Sequence, residues 1–176
     1  MKDKYSLWIV PKGEVGEQSQ ALISRLAQEY GSPDFVPHMT LVANIFAGKD
    51  ELDALKARVT ALAEQVGKFT LTLSTFGYKD EEFRCLYLLT EAPELQSVYD
   101  KAAEQFPQVN DEHFRQMPHL SVLYGNFPAV TKKDIIAKNS SLLPIQFEVE
   151  SFDLCLTNDP VEAWKQERVF PLPAKE

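Results

Sequence analysis

The sequence predicts an α+β fold in two lobes, with mixed or antiparallel sheets that form a central cleft. Strand-like and helix-like segments alternate, but several strands follow one another with no helix between them, which argues against a doubly wound parallel sheet. One short pattern also occurs twice, about half the chain apart. With 176 residues, 44% of them apolar, the chain can bury one sizeable core. We therefore expect a single two-lobed domain over residues 1–176.

The strands are predicted from segments rich in β-branched and aromatic residues, or from alternation of apolar residues with Thr and Ser. The first segment stops at Pro11, which cannot donate a ladder hydrogen bond. The predicted strands cover residues 5–10, 39–43, 69–76, 85–89, 120–124 and 168–172. Residues 145–157 form either one long strand or a bent pair.

The helices are predicted from apolar residues at helical spacing. The clearest helix covers residues 50–66, and its apolar face is formed by Leu52, Leu55, Val59, Leu62, Ala63 and Val66. Gly31 marks the end of a helix over residues 15–30, and Pro93 opens one that runs to about residue 106. A short helix is predicted over residues 132–138.

The formal net charge of −8 bears on the partners of this protein. A protein that binds long nucleic acid neutralises many phosphates with Lys and Arg. This composition therefore predicts that long nucleic acid is not a partner. A small anionic substrate is compatible with it, because a few local donors can outweigh a weak overall field. No exposed apolar stripe indicates a partner surface, and we expect a monomer.

No segment indicates targeting, membrane insertion or metal binding. The N-terminus lacks the apolar stretch of a signal peptide, and no run approaches the roughly 18 apolar residues of a membrane span. Cys85 and Cys155 lie inside apolar runs, which predicts buried free thiols in a reduced, cytoplasmic protein. No zinc-type spacing or carboxylate cluster is present, so no cofactor is expected.

The repeated pattern reads proline, histidine, apolar, hydroxyl, apolar. It occurs over residues 36–42 (VPHMTLV) and 117–123 (MPHLSVL), each time after a helix and a polar loop. Successive side chains of a strand point to opposite faces, so each histidine shares a face with the hydroxyl residue two positions later. If the two strands are central neighbours, one wall presents two imidazoles and two hydroxyls: His38, Thr40, His119 and Ser121.

This set of groups suits the hydrolysis of a phosphate ester. Opening a cyclic phosphate needs a deprotonated water on one side of phosphorus and a protonated leaving oxygen on the other. An unperturbed imidazole has a pKa of about 6.5, so one histidine can be neutral while the other is charged. Thr40 and Ser121 can donate hydrogen bonds to the non-bridging oxygens. The sequence does not decide which histidine is the base, because a pKa depends on burial and neighbours.

Other interpretations apply to single residues. Two histidines without a third ligand make a poor metal site. His113, in the loop before the second motif, is interpreted as a surface residue. From periodicity alone, Tyr124 and Trp8 are interpreted as core residues.

The paired motifs resemble the two-histidine phosphoesterase superfamily, and most closely its cyclic phosphodiesterase branch from plants and fungi. The resemblance extends over nearly the whole chain. Residues 6–8 with Pro11 are similar to the first strand of the family, and residues 85–89 to a central strand. Residues 154–157, followed by Trp164, resemble the C-terminal strand and tail.

The resemblance implies a cyclic phosphodiesterase-like domain with its active site in the cleft between the lobes. It implies hydrolysis of ADP-ribose 1'',2''-cyclic phosphate, a by-product of tRNA splicing, to ADP-ribose 1''-phosphate, and of nucleoside 2',3'-cyclic phosphates to 2'-phosphates. By that similarity His119 activates the water and His38 protonates the leaving oxygen. Tyr124 helps to hold the phosphate, and Trp8 is a candidate to stack on the substrate base.

Two alternatives stay open. An RNA-end 2',3'-cyclic phosphodiesterase or ligase-like member of the same superfamily would need a basic groove, and the net charge of −8 speaks against it. A non-catalytic module that binds a nucleotide phosphate could tolerate the loss of one histidine, and both are present. The plant members carry additional cysteines that this chain lacks, so we expect the loop over residues 109–116 to have no covalent tie.

Overall fold

A computed structural model describes residues 1–109 and 112–174. Within these ranges the chain forms eight strands and five α-helices. In chain order they are β1 (Asp3–Ile9), α1 (Gly13–Tyr30), β2 (Met39–Ala47), α2 (Leu52–Glu64), β3 (Phe69–Tyr78), β4 (Leu86–Thr90), α3 (Pro93–Gln105), α4 (Glu112–Gln116), β5 (His119–Leu123), α5 (Ala129–Asn139), β6 (Ile145–Val149), β7 (Ser151–Leu156) and β8 (Lys165–Pro171).

The strands form one sheet in the order β6-β3-β4-β5-β2-β1-β7-β8, and the neighbours pair antiparallel. The ladder between β2 and β5 consists of one residue pair, Met39 with Leu120. This junction divides the sheet into a first half (β2, β1, β7, β8) and a second half (β5, β4, β3, β6). The predicted α+β fold in two lobes is confirmed, with antiparallel pairing between the strands.

The helices bury the apolar faces that their periodicity predicts. On α2 the buried positions are Leu55, Val59, Leu62 and Ala63. Helix α1 ends at Gly31, whose φ of 66° is the left-handed conformation that glycine adopts without steric cost. Its N–H donates to the carbonyl of Ala27 and so closes the last turn.

Helices also connect the two halves of the sheet. Helix α1 follows β1 of the first half but packs against β5 of the second, and α3 follows β4 but packs against β2. On α3 the buried Tyr99 donates from its hydroxyl to the carbonyl of Thr40, at 3.1 Å. The two helices therefore cross the junction and reinforce its one-pair ladder.

Residues 145–157 form a pair of strands, one of the two predicted alternatives, and residues 112–116 differ from the predicted loop. Residues 145–157 form two strands in opposite halves: β6 pairs with β3, and β7 pairs with β1. Helix α4 occupies most of the segment that was predicted as a loop, of which residues 110 and 111 lie outside the described ranges. Cys85 and Cys155 are buried free thiols, as predicted.

Two features are absent from the residues that the structure describes. None of the helices in these ranges is both long and apolar enough to cross a bilayer. No group of three or more His, Cys, Asp or Glu side chains in the same ranges is placed to hold a metal ion.

Candidate active site

A cavity of about 570 Å³ lies over the junction between the two halves. Its walls come from β1, β2 and β5, from helix α4, and from the turns before β4 and before β8. The six residues singled out from the sequence all line it: Trp8, His38, Thr40, His119, Ser121 and Tyr124.

The register at the junction explains why the motif residues meet. Met39 pairs with Leu120, and both side chains are fully buried in the core. Because side chains alternate between faces, the residues on either side of this pair point to the opposite face, toward the cavity. Both imidazoles and both hydroxyl residues of the two motifs therefore share one wall.

Each imidazole is oriented by a backbone carbonyl two residues earlier in its own motif. Nδ1 of His38 lies 2.6 Å from the carbonyl oxygen of Val36, and Nδ1 of His119 lies 2.7 Å from that of Met117. A carbonyl can only accept, so Nδ1 carries the proton in both rings. Nε2 is then the nitrogen that has a lone pair available for proton transfer, and it is the same atom in both motifs.

Burial lowers the pKa of both histidines. His38 is buried, which lowers its pKa to about 4; its bond to the Val36 carbonyl opposes this shift, and the charge of His119 adds to it. The pKa of His119 is lowered first by burial and then by the charges of Arg84, His113 and Lys79. Both imidazoles are therefore neutral at pH 7 in the free protein.

Each imidazole is flanked by an aromatic ring from the adjacent strand. Trp8 on β1 stacks on His38, with ring centroids 3.8 Å apart, and Tyr87 on β4 lies beside His119, at 5.2 Å. The ring of Tyr87 occupies the space above Gly77 on β3. A Cβ added to Gly77 would lie 2.9 Å from Cζ of Tyr87 and closer still to Cε2 of that ring. Each half thus places an aromatic ring beside its histidine, stacked in the case of Trp8 and tilted by 57° in the case of Tyr87.

The hydroxyl groups are held at fixed positions. Ser121 donates from Oγ to the carbonyl of Phe83, at 3.0 Å. Tyr124 is buried and stacks on Phe35, with ring centroids 3.9 Å apart. Burial raises the pKa of Tyr124 well above its usual range, so its phenol stays a hydrogen-bond donor at neutral pH.

The cavity also contains residues that the sequence analysis did not assign to a site. His113, interpreted above as a surface residue, is half-buried on α4 and lines the cavity, so that interpretation is wrong. Its position just before the second motif was the available signal. Other lining residues lie on turns or at a break in the strand register: Phe83, Arg84, Trp164 and Asn44. Asn44 has a φ of 55°, in the left-handed region, where β2 bulges.

Comparison with known proteins agrees with this geometry. A sequence model described as the 2'-5' RNA ligase superfamily matches residues 15–160. A cyclic phosphodiesterase from Arabidopsis thaliana is 27% identical over 172 residues, which cover 93% of this chain and 92% of that protein.

Solved structures show the same fold. E. coli LigT in its apo form has a TM-score of 0.66 and 16% identity, covering 98% of each chain. LigT complexed with 3'-AMP has a TM-score of 0.67 and 16% identity, covering 98% of this chain and 99% of that chain. TT0787 of Thermus thermophilus has a TM-score of 0.68 and 16% identity, covering 98% of this chain and all of that one. The chain is a phosphoesterase and belongs to the 2'-5' RNA ligase superfamily of two-histidine phosphoesterases.

Proposed function

We propose that this phosphoesterase hydrolyses small cyclic phosphates on nucleotides, with His38 and His119 as an acid–base pair. The substrates are nucleoside 2',3'-cyclic phosphates, opened to 2'-phosphates, and ADP-ribose 1'',2''-cyclic phosphate, opened to the 1''-phosphate. One observation carries the proposal: two imidazoles with the same tautomer and two hydroxyl residues line one cavity.

The proposed acid–base roles are those that the family resemblance implies, and they require different protonation states of two rings that both carry a proton on Nδ1. His119, neutral in the free protein, has a lone pair on Nε2 that can take a proton from the attacking water. His38 needs a proton before it can protonate the leaving oxygen, and its pKa of about 4 leaves it neutral without substrate. A bound phosphate anion raises the pKa of both imidazoles. A positive charge on one imidazole lowers the pKa of the other. The pair therefore favours the state in which one ring is protonated and the other is neutral.

The remaining groups hold the phosphate. Thr40, Ser121 and Tyr124 place neutral hydroxyls on the same cavity wall as the imidazoles. Ser121 would have to exchange its bond to the Phe83 carbonyl for one to a phosphate oxygen. As water adds to phosphorus, negative charge grows on the non-bridging oxygens, and hydroxyl donors in contact with them would stabilise that charge. These steps use side chains of this protein alone.

The rest of the cavity supports a nucleotide of modest size. Phe83 is 48% exposed at the cavity, and its ring lies 6.4 Å from that of Trp164 at an angle of 27°, so aromatic faces are available to a base. The net charge of −8 disfavours a long RNA strand. The names of two relatives, a cyclic phosphodiesterase and a LigT crystallised with 3'-AMP, are consistent with such a substrate.

The test is turnover of 2',3'-cyclic AMP and of ADP-ribose 1'',2''-cyclic phosphate in the presence of EDTA. Products are separated against 2'- and 3'-phosphate standards for the wild type, His38→Ala and His119→Ala. We expect each motif variant to lose about a hundredfold or more in rate. His113→Ala, which removes the third imidazole of the cavity, is the matched comparison, with an expected loss below about tenfold.

Two results would overturn the proposal. If neither compound is hydrolysed but the nucleotide still binds, the protein is a binding module. If only oligonucleotides with a 2',3'-cyclic end are hydrolysed, the substrate is an RNA end.

A further inference from the structure

Arg84 has an unsatisfied donor at the cavity. It ends the single 3₁₀ turn Glu82–Arg84 before β4, and it is one of the residues that line the cavity. One guanidinium nitrogen, Nη2, pairs with Glu81. The other, Nη1, is buried from solvent and has no hydrogen-bond partner within residues 1–109 and 112–174. Proteins rarely bury a charged donor without an acceptor, so this nitrogen indicates a missing ligand.

The turn that carries Arg84 is fastened to the second motif. Ser121 donates to the carbonyl of Phe83 at 3.0 Å, and the N–H of Gly125 donates to the carbonyl of Glu82 at 2.9 Å. The carbonyl of Arg84 itself accepts from the N–H of Lys79, at 3.0 Å. The guanidinium therefore has a rigid base beside the second motif, as a preorganised contact requires.

The positive charge of Arg84 acts on His119, at the end of the cavity that the second motif forms. It is one of the charges that lower the pKa of His119. The other Lys or Arg that lines the cavity in the described ranges is Lys4, whose Nζ lies 3.5 Å from a carboxylate oxygen of Asp159. In a chain with a net charge of −8, an anionic substrate needs such local donors.

We propose that Arg84 is a further catalytic residue, which donates from Nη1 to a non-bridging oxygen of the cyclic phosphate beside His119 and Ser121. This inference rests on the proposed function. Arginine suits the task because its donors are fixed in a plane that matches phosphate oxygens. No bond to Arg84 forms or breaks: the contact strengthens as water adds to phosphorus and negative charge grows on the oxygen it binds.

A purely structural role explains fewer of the contacts of Arg84. The ion pair with Glu81 is partly exposed, with side-chain exposures of 21% for Arg84 and 44% for Glu81. Such surface pairs stabilise a fold only slightly. The ion pair also uses only Nη2, so it does not explain why Nη1 is buried without a hydrogen-bond acceptor among the described residues.

The experiment compares four variants with the wild type: Arg84→Gln, Arg84→Lys, Glu81→Gln and Arg58→Gln. Glu81→Gln removes the ion pair but keeps the guanidinium, and Arg58→Gln removes one positive charge from an exposed position on α2. Binding of 2'-AMP and of adenosine is measured by calorimetry, kcat and KM are measured with 2',3'-cyclic AMP, and thermal unfolding verifies folding.

We expect Arg84→Gln to lower kcat about a hundredfold and to weaken 2'-AMP binding at least tenfold, with adenosine binding unchanged. Arg84→Lys should be intermediate, and the two controls should stay within about twofold of the wild type. A pH profile gives a further readout. His119 is faced by the charges of Arg84, His113 and Lys79 and by the ring of Tyr87. Loss of the Arg84 charge should move the acid limb of kcat/KM to higher pH.

The outcomes separate this inference from the proposed function. Equal losses in Arg84→Gln and Glu81→Gln, or equal losses for 2'-AMP and adenosine, would overturn the phosphate contact. If the wild type hydrolyses no cyclic phosphate, the proposed function fails, but a loss of 2'-AMP binding confined to the Arg84 variants would still establish the contact.

Discussion

The indole of Trp8 lies parallel to the imidazole of His38, with ring centroids 3.8 Å apart and an angle of 16° between the planes. One face of the indole is therefore occupied by the catalytic candidate. The same contact shields His38 from water, which contributes to the burial that lowers its pKa.

Replacing Trp8 by alanine should lower kcat with 2',3'-cyclic AMP at least about tenfold, because His38 loses the ring that fixes its plane. Trp8→Phe keeps an aromatic face and should recover most of the rate. Steady-state kinetics separate this role from base stacking, which the sequence resemblance suggests. A rise in KM with unchanged kcat would indicate that Trp8 acts on the substrate instead.

Gly77 should be intolerant of even one added methyl group. An alanine Cβ would overlap the ring of Tyr87, which lies beside His119. We expect Gly77→Ala to lower the free energy of unfolding by about 1–3 kcal/mol, the usual range for overpacking, and to reduce kcat. Urea unfolding of Gly77→Ala, Tyr87→Leu and the double variant measures the coupling. Additive losses in the double variant would show that the two residues do not interact.

The stability of the protein should fall on acidification because His38 is buried in its neutral form. Its folded pKa is about 4, below the ordinary value of 6.5, so the unfolded chain binds this proton more readily. Stability is therefore fully present above about pH 6.5 and is lost as the pH falls toward 4, by roughly 3 kcal/mol. His38→Gln should flatten this part of the profile. Parallel wild-type and variant curves, from urea unfolding between pH 7 and pH 4, would contradict the assignment.

Lys132 should stabilise the turn that carries Phe83 and Arg84. Its side chain is fully buried, and Nζ donates to the carbonyl of Lys79 at 2.9 Å and to the carboxylate of Asp80 at 2.6 Å. Lys132→Met keeps the alkyl stem but leaves that carbonyl without its donor. We expect a loss of about 1–3 kcal/mol in urea unfolding and a raised KM.

Asp80→Asn is the control for this prediction, because it removes the carboxylate charge but keeps a side-chain oxygen that can accept from the buried amine of Lys132. Equal losses of stability in the two variants would assign the effect to the ion pair rather than to the buried amine.

Much of the fold could be predicted because burial follows the period of each element. Leu55, Val59 and Leu62 are spaced by four and three residues, so they share one face of α2, and all three are buried. The alternation in the second motif likewise puts the side chains of Leu120 and His119 on opposite faces. The site residues of both motifs could be assigned to one wall for the same reason.

The remaining features depend on contacts that no local pattern encodes. Whether residues 145–157 form one strand or two is decided by pairing with β3 on one side and β1 on the other. Phe83 and Trp164 reach the cavity from turns, which have no period. The turn of Phe83 is positioned by hydrogen bonds from residues about forty positions later in the chain, such as Ser121.

The strand order has a consequence for synthesis. The second half of the sheet is a continuous stretch from β3 to β6, whereas the first half is divided, with β1 and β2 before that stretch and β7 and β8 after it. During synthesis, His38 is therefore made before His119. The half of the sheet that contains His38 is nevertheless the last to be completed. Until β7 has emerged, the strand that carries Trp8 has one open edge. A nascent chain that ends before β7 would contain all four strands of the half that carries His119. It would lack two of the four strands of the half that carries His38.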